Sequence, residues 1–262
     1  MNLQCDLLLG SGYKSGNQQA RVISESWCLN NLYCPACPSD TLRDLPRNTP
    51  AIDFECSKCS APYQLKSAKS KLGSKVLDSA YSKMIERVEA GTMPHLLALR
   101  YNPDWKINTL LLIPSFFFTR SAIEKRKPLG PDAERAGWVG CNILLSHIPP
   151  SGRIPIIHDC KTVPREKVRK AFRALRDLNA IKPGREARGW TLDVLRVVEN
   201  LGKKQFSLAE VYAHEAELQK LHPNNRHVRD KIRQQLQVLR NLGRLSFHGR
   251  GVYTTALRSA AE

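Results

Sequence analysis

The chain has 262 residues, of which 42% are hydrophobic and 25% charged, a composition typical of a globular protein. This length allows one large domain or two ordinary ones, with a core that needs no disulfide bonds. Lysine and arginine outnumber aspartate and glutamate by 41 to 24, which gives a formal net charge of +17. Such an excess favours a nucleic-acid partner, since each cation placed at a phosphate releases condensed counterions. A basic, well-solvated surface is the alternative.

The termini and apolar runs argue against export and against membrane insertion. The N-terminus has no basic segment before its short apolar run and no small-residue cleavage site, unlike a signal peptide. The longest apolar runs, around Leu110–Pro114 and Phe116–Phe118, are shorter than the roughly 18 residues that span a bilayer. We therefore expect a cytoplasmic protein that makes no membrane contact.

The first 180 or so residues predict an α/β layered core. The predicted elements, in chain order, are a helix over 17–32, the cysteine region with its hairpin, a helix that Ser74 caps and Gly91 ends, strands His95–Tyr101 and Ile107–Ile113, a less regular stretch over 120–160 and a basic helical segment over 163–178. A linker is expected at 182–185. We place the first domain at residues 1–182.

Residues 183–262 predict a second domain. Its predicted elements are a helix that Thr191 caps and that ends near Gly202, a helix that Phe206 and Ser207 open and that includes Leu218, a helix that Asn225 caps and Gly243 stops, and strands Leu245–Phe247 and Val252–Thr254. Three helices and a glycine-rich hairpin are typical of a winged helix, a helix-turn-helix variant. Between Lys220 and Arg250, eight basic residues stand against one acid, Asp230, so the positive charge is concentrated there.

Four cysteines form two matching pairs. Cys34 and Cys37 are separated by two residues, and so are Cys56 and Cys59, eighteen residues further on. Each such pair forms a knuckle whose two thiolates face one tetrahedral ion, and two knuckles leave no open coordination position. The spacing predicts a structural zinc site; two pairs of buried thiols and an iron–sulfur cluster are the alternatives. Four further cysteines show no pairing pattern and are expected to be buried thiols, namely Cys5, Cys28, Cys141 and Cys160.

A second pattern surrounds the later cysteine pair. Apolar and polar residues alternate around Asp53 and again over residues 63–66, as in two half-buried strands. If these strands pair as a hairpin, Asp53, Gln64 and Lys66 project from the same face. A carboxylate can bind Mg²⁺, the backbone carbonyl of Leu65 can add an oxygen ligand, and a lysine can orient a water and offset charge on a phosphate. An ordinary hairpin with one polar face is the alternative.

The segment Pro50-Ala51-Ile52-Asp53 followed by Gln64-Leu65-Lys66 resembles the PD-(D/E)xK nuclease signature. Together with the cysteine knuckles and the segments at 126–129, 135–143, 188–191 and 231–237, it resembles the DpnI-like family of methyl-directed restriction endonucleases over nearly the whole chain. This resemblance implies a PD-(D/E)xK catalytic domain joined to a C-terminal winged helix. It also implies cleavage of double-stranded DNA at GATC sites whose adenine carries an N6-methyl group.

The resemblance assigns roles to the hairpin. Asp53 would be a magnesium ligand and Lys66 the catalytic lysine. Gln64 departs from the signature, which has Asp or Glu at this position; its amide oxygen can still bind Mg²⁺, but without a formal charge. Glu55 or Glu25 would supply a further carboxylate. A methyl-adenine-binding protein with a weakened nuclease site is therefore the alternative function.

The candidate DNA-reading residues lie in two regions. Arginine pairs with guanine and glutamine with adenine in the major groove, so the third helix and wing of the second domain are expected to read DNA. The candidates there are Arg229, Lys231, Arg233, Gln234, Gln237 and Arg250. Trp138 is the candidate for contact with the methylated base, and a core tryptophan is the other interpretation. We expect the protein to act as a monomer.

Overall fold

A seven-stranded sheet forms the centre of the N-terminal half. It appears in a computed structural model that describes residues 1–46, 52–69, 73–181 and 184–256. Its strands are β1 (Leu42–Asp44), β2 (Phe54–Cys56), β3 (Pro62–Ala68), β5 (His95–Tyr101), β6 (Ile107–Ile113), β9 (Ile154–His158) and β10 (Lys161–Thr162). The spatial order is β1-β2-β3-β5-β6-β9-β10, in which β3 and β5 are parallel and the other neighbours antiparallel. The predicted strands 95–101 and 107–113 are confirmed.

Among the described residues, a smaller antiparallel sheet and three α-helices form most of the rest of this half. The sheet has the order β4-β8-β7, formed by β4 (Lys75–Ala80), β8 (Gly140–Leu144) and β7 (Ile123–Lys125). The helices are α1 (Gly16–Asn31), α2 (Tyr81–Ala90) and α3 (Arg165–Ala174). The stretch 120–160, which the sequence predicts to be less regular, thus contains three strands.

The two faces of the large sheet carry different layers. Tyr63 of β3 is the register partner of His95 of β5, whose ring centroid lies 5.2 Å from that of Phe172 in α3. Ser67, on the same face of β3, lies 3.2 Å from Ser24 of α1 between hydroxyl oxygens. Helices α1 and α3 therefore cover this face. Residues 64 and 66 point to the opposite face, because side chains alternate along a strand.

The helix predicted from Ser74 to Gly91 is wrong in its first half. Lys75–Ala80 forms β4, and the helix begins only at Tyr81. Along β4, Val76 and Asp78 are more buried than Lys75 and Leu77, which is the period of a strand. Pairing with β8 supplies the hydrogen bonds that a helix would otherwise provide. The predicted helix end is confirmed, since Gly91 caps α2 in the left-handed conformation.

The C-terminal half has the winged-helix architecture that the sequence predicts. Its helices and strands are α4 (Gly184–Asn200), β11 (Gln205–Ser207), α5 (Leu208–Tyr212), α6 (Glu215–Leu221), α7 (Val228–Asn241), β12 (Leu245–Phe247) and β13 (Val252–Thr255). The sheet order is β11-β13-β12, so the wing hairpin pairs with the strand that precedes α5. Ser207 and Glu210 form a capping box that starts α5.

Three local predictions in this half are wrong. Thr191 lies inside α4 and therefore does not cap a helix; its hydroxyl oxygen is 2.9 Å from the Ala187 carbonyl oxygen and 2.6 Å from Gln235 Oε1. The second predicted helix is divided into α5 and α6. The residue at the N-terminal cap of α7 is His227. Asn225 lies two residues before it, and its Oδ1 accepts from the His227 N–H at 2.8 Å.

Buried polar contacts join the two halves. Asp193 of α4 accepts from Ser121 at 2.9 Å and pairs with His222 at 2.8 Å. Glu199 accepts from the Ser151 N–H at 2.8 Å, and burial raises the pKa of its carboxyl. The domain boundary predicted after residue 182 falls on residues outside the described ranges. Among the residues that the structure describes, no helix is long and apolar enough to cross a membrane.

Candidate metal centre and DNA-cleaving cleft

Four cysteine side chains converge at the closed end of the β2–β3 hairpin. Their sulfur atoms all lie within 4.8 Å of one another. Cys34 Sγ is 3.7 Å from Cys59 Sγ, and Cys37 Sγ is 3.5 Å from Cys56 Sγ. A tetrahedral zinc ion with Zn–S bonds of about 2.3 Å requires sulfur–sulfur distances of roughly 3.8 Å. The geometry and the donor set therefore fit zinc, as the spacing predicts.

Two backbone amides donate hydrogen bonds to the sulfur atom of Cys56 and stabilise its thiolate form. The N–H groups of Lys58 and Cys59 both donate to Cys56 Sγ at 3.4 Å. Burial alone would raise the pKa of this thiol, but these bonds and the neighbouring thiols lower it to about 6. A thiolate is the form that binds zinc, so Cys56 is ready to act as a ligand at neutral pH.

Two further side chains hold the first knuckle against the sheet. The Tyr63 hydroxyl lies 3.1 Å from Cys34 Sγ. Arg169 of α3 donates to the Cys34 carbonyl at 3.2 Å and to the Ser39 carbonyl at 2.9 Å. Tyr63 directly precedes Gln64 in β3, so the cysteine cluster and the candidate catalytic residues share one strand.

A cleft of about 1160 Å³ opens beside the other end of the hairpin. It is lined by α1, by the hairpin and by β4. The ionisable and amide side chains that contribute to the lining include Arg21, Glu25, Asp44, Asp53, Gln64, Lys66 and Asp78. All three polar residues that the sequence predicts to be catalytic are thus brought into one cleft.

Asp53 is tied to β3 across the hairpin. Its N–H donates to the Tyr63 carbonyl at 2.9 Å, and its Oδ2 accepts from the Leu65 N–H at 2.7 Å. Burial raises the pKa of the Asp53 carboxyl, while the bond from Leu65 and the charge of Lys66 act in the opposite direction. The carboxylate is therefore partly desolvated, and a cation bound next to it would be favourable.

Gln64 and Lys66 reach the same partner, Asp78 of β4. Lys66 Nζ lies 2.9 Å from Asp78 Oδ1, and Gln64 Nε2 lies 3.4 Å from the same oxygen. The Asp78 side chain is only 1% exposed, and its Oδ2 has no hydrogen-bond partner. The predicted projection of Gln64 and Lys66 from one face is confirmed by this shared contact.

Asp78 is not among the predicted site residues, because the sequence predicts one helix over residues 74–91. No two-residue alternation of apolar and polar residues marks β4 in the sequence, because Val76 and Leu77 are adjacent, and together with the apolar residues that follow they suited a helix. Of Glu25 and Glu55, the two candidates for a further carboxylate near the magnesium ion, Glu25 has the better position. Glu25 lines the cleft and burial raises the pKa of its carboxyl, whereas Glu55 pairs with Arg43 at 2.8 Å and is absent from the lining.

Trp138 lies two residues before the start of β8 in the small sheet. It is half-buried and does not belong to the lining of the cleft. The Arg135 guanidinium stacks over its ring, 5.0 Å from the centroid. A Cβ atom at Gly140 would come within 2.7 Å of the Trp138 ring, so a glycine is needed for this packing. The ring is therefore neither a fully buried core residue nor part of the cleft.

Helix α7 presents a polar face to solvent. The exposed candidates for DNA reading on it are Arg229, Arg233, Gln234 and Gln237, while Lys231 is half-buried. The Arg229 and Arg233 guanidinium groups lie 5.2 and 5.9 Å from the Tyr212 ring centroid. Arg250 is exposed at the turn of the wing. These side chains are brought to one side of the winged helix or to its wing.

One basic residue counted in this region serves another purpose. Arg244 is buried, and its guanidinium bonds to the Ala174 carbonyl and to Asp177 Oδ1, the latter at 2.5 Å. Both partners belong to the N-terminal half. Arg244 thus joins the two halves instead of adding to the exposed positive surface, a role that its position in a basic stretch does not reveal.

The fold and its sites define a mixed α/β protein with a four-cysteine cluster and a C-terminal helix-turn-helix domain. Comparison with known protein families agrees with this description. The model of the Dam-replacing family (DpnI) matches residues 1–181, and that of the Dam-replacing HTH domain (DpnI_C) matches residues 186–255. The chain therefore belongs to the Dam-replacing DpnI family, as its sequence motifs suggest.

Membership of this family indicates a nuclease of methyl-dependent restriction. The helix-turn-helix domain indicates DNA binding. The cysteine cluster provides a site that can hold zinc.

Proposed function

We propose that this protein is a magnesium-dependent type II restriction endonuclease that cleaves double-stranded DNA at G-m6A-TC sites. The observation that carries this proposal is the convergence of Asp53, Gln64 and Lys66 in one cleft, at the end of the hairpin opposite the cysteine cluster. The hairpin brings these three groups to one cleft even though ten or more residues separate Asp53 from the other two. Family membership supplies the methyl dependence.

The cleft offers oxygen donors that suit a hard cation. The Asp53 carboxylate and the Gln64 amide line it directly. The Leu65 N–H points at Asp53, and in a strand the N–H and C=O of one residue point to the same side, so the Leu65 carbonyl faces the same opening. Asp53, Gln64 and Leu65 would therefore hold Mg²⁺. When bound, the ion would polarise the scissile phosphate and lower the pKa of a coordinated water.

Lys66 supplies the positive charge of the site. Its ammonium group lies at the wall of the cleft, held by Asp78 at 2.9 Å. From this position it can orient the attacking water and offset the negative charge that develops on the phosphate. Asp53 orients the backbone of Leu65, which directly precedes Lys66, by accepting a hydrogen bond from the Leu65 N–H.

DNA recognition is assigned to two surfaces. Arg233, Gln234 and Gln237 on α7 would meet base edges in the major groove, and Arg229, Lys231 and Arg250 would add contacts to the phosphates. Trp138, stacked by Arg135, would pack against the apolar methyl group of the modified adenine. We assign residues 1–182 to cleavage and 183–262 to the winged helix, and we propose a cytoplasmic monomer with one structural zinc ion.

The test is a digest of GATC-containing plasmid DNA, methylated or unmethylated, with purified protein and Mg²⁺ or EDTA. We expect cutting of the methylated plasmid only, and only with Mg²⁺. Equal cutting of both plasmids, or of neither, contradicts the proposal. Binding of methylated duplex without cleavage, unchanged by Lys66→Ala, would instead identify a methyl-adenine-binding protein. That second function is favoured by a single observation, the amide at position 64.

A further inference from the structure

Asp78 brings into the cleft a carboxylate that the Asp53–Gln64–Lys66 pattern does not contain. It lies in β4, twelve residues after Lys66, and lines the same cleft as Asp53, Gln64 and Lys66. Its side chain is 1% exposed, so its charge is removed from solvent while it stands at the wall of the cleft. Burial of a carboxylate is costly unless partners satisfy both of its oxygens.

The two oxygens of the Asp78 carboxylate differ in their hydrogen-bond partners. Asp78 Oδ1 receives Lys66 Nζ at 2.9 Å, Gln64 Nε2 at 3.4 Å and the Ser79 N–H at 2.7 Å. Oδ2 is buried and receives no donor from the residues that the structure describes. One oxygen is thus fully occupied by donors, and the other is left for a group that the chain itself does not supply.

We propose that Asp78 is the second carboxylate ligand of the catalytic cation, supplying the charge that the amide at position 64 lacks. This inference rests on the proposed function. The free Oδ2 would bind the cation while Oδ1 continues to hold Lys66, so one carboxylate would fix both the metal and the lysine. A divalent cation that prefers oxygen ligands, such as Mg²⁺ or Mn²⁺, is the class of ligand that satisfies Oδ2.

This arrangement also gives a physical reason for glutamine at position 64. Its amide nitrogen donates toward Asp78, which leaves the amide oxygen as the atom available to the cation. A glutamate there would place a second carboxylate against Asp78 Oδ1, and two neighbouring carboxylates repel each other and resist joint ionisation. Glutamine at 64 and aspartate at 78 therefore form a compatible pair.

The backbone holds Asp78 firmly in this position. Its register partner in β8 is Cys141, whose thiol donates to the carbonyl of Ser79 at 3.2 Å. The register shifts between Asp78 and Ala80, an irregularity of the kind that redirects a side chain relative to a regular strand.

The test is a titration of the zinc-loaded protein with Mn²⁺, followed by calorimetry, for the wild type and four variants. Asp78→Asn should weaken Mn²⁺ binding by at least about tenfold, as should the reference variant Asp53→Asn. The double variant Gln64→Glu/Asp78→Asn should recover most of the lost affinity, because it returns a carboxylate to the cleft. Glu55→Gln, which removes a carboxylate outside the cleft, should bind Mn²⁺ like the wild type.

Either of two outcomes would overturn the assignment of Asp78 as a cation ligand. If Asp78→Asn binds Mn²⁺ like the wild type while Asp53→Asn does not, the inference is overturned and Asp78 only positions Lys66. If the double variant fails to recover although its zinc content and thermal unfolding match those of Asp78→Asn, it is overturned as well. The plasmid digest of the wild type is independent of both results, so failure of the proposed function would show there and not in the ranking of the Mn²⁺ affinities.

Discussion

The two ends of the β2–β3 hairpin carry two different kinds of site, a closed cysteine cluster and an open cleft. At the cysteine end, four ligands of one chemical kind lie within 4.8 Å of one another and leave no position open. At the cleft end, carboxylates, an amide and a lysine come from separate segments and surround an open space of about 1160 Å³. The described acidic residues of the cleft, unlike the cysteines, do not form a preassembled cluster.

A closed metal site and an open cleft place different demands on the positions of their side chains. A closed cluster contributes binding free energy to folding, so its ligands must already be close together. A cleft that is to admit a phosphodiester, as we propose, must keep room for substrate. Its groups are held by bonds to the protein, such as those from Lys66 to Asp78 and from Leu65 to Asp53. The comparison predicts global effects from changes at one end and local effects from changes at the other.

The largest effect is expected from loss of the metal at the cysteine end. Cys56→Ser should abolish zinc binding and lower the midpoint of thermal unfolding by more than about 10 °C, since structural zinc supplies on the order of 10 kcal/mol of folding free energy. Zinc content and circular dichroism measure both. Cys160→Ser is the matched control outside the cluster. A well-folded Cys56→Ser protein that lacks only activity would contradict a structural role for the cysteine cluster.

The next largest effect is expected at the cleft and should be confined to catalysis. Lys66→Ala should reduce the cleavage rate by roughly 10²–10³-fold, as loss of one charge-stabilising group does in other enzymes. Zinc content and affinity for methylated duplex should stay at wild-type levels. Single-turnover cleavage and a binding titration provide the two measurements, with Lys58→Ala as the control. Loss of zinc together with activity would show that the two ends are not separable.

An intermediate effect is expected on acid stability near the cysteine end. His95 is buried, and burial lowers the pKa of its imidazole to about 4; its Nδ1 accepts from the Ser115 N–H at 2.8 Å. A histidine with a lowered pKa gives stability that is present above pH ~6.5 and lost as the pH falls toward ~4, up to about 3 kcal/mol. Urea unfolding at several pH values measures this loss.

The control for this effect is His95→Gln. Its stability should be lower at pH 7 but should fall less steeply between pH 6.5 and 4. Since the zinc thiolates titrate in both proteins, the difference in slope isolates the imidazole. Identical slopes would remove His95 from the explanation.

The smallest effect is expected on the winged helix, away from both ends of the hairpin. Arg233→Ala should weaken binding of methylated GATC duplex by about tenfold, since one good base contact contributes about 1–3 kcal/mol. Cleavage at saturating protein and zinc content should not change. Fluorescence anisotropy with labelled duplex is the measurement, and Lys83→Ala on α2 is the control. Unchanged binding would exclude Arg233 from the DNA-reading surface.

Local patterns in the sequence predicted those features that depend on local chemistry. The cysteine spacing predicted the cluster, the Asp53 and Lys66 segments predicted the hairpin, and glycines predicted helix ends such as that at Gly91. Partners that are distant in sequence could not be predicted in this way. Asp78 is placed by pairing with β8, and Arg244 is buried by contact with Asp177. In both cases a tertiary contact overrides what the neighbouring residues suggest.

The pairing of β4 with β8 determines when the proposed cleavage site can form during synthesis. In its sheet β4 has one neighbour, β8, which ends at Leu144. During synthesis at ~5–20 residues per second, Asp78 thus leaves the ribosome several seconds before the strand that fixes it. The proposed cleavage site therefore cannot be complete while the chain is still short, and fragments that end before β8 lack the strand that positions Asp78.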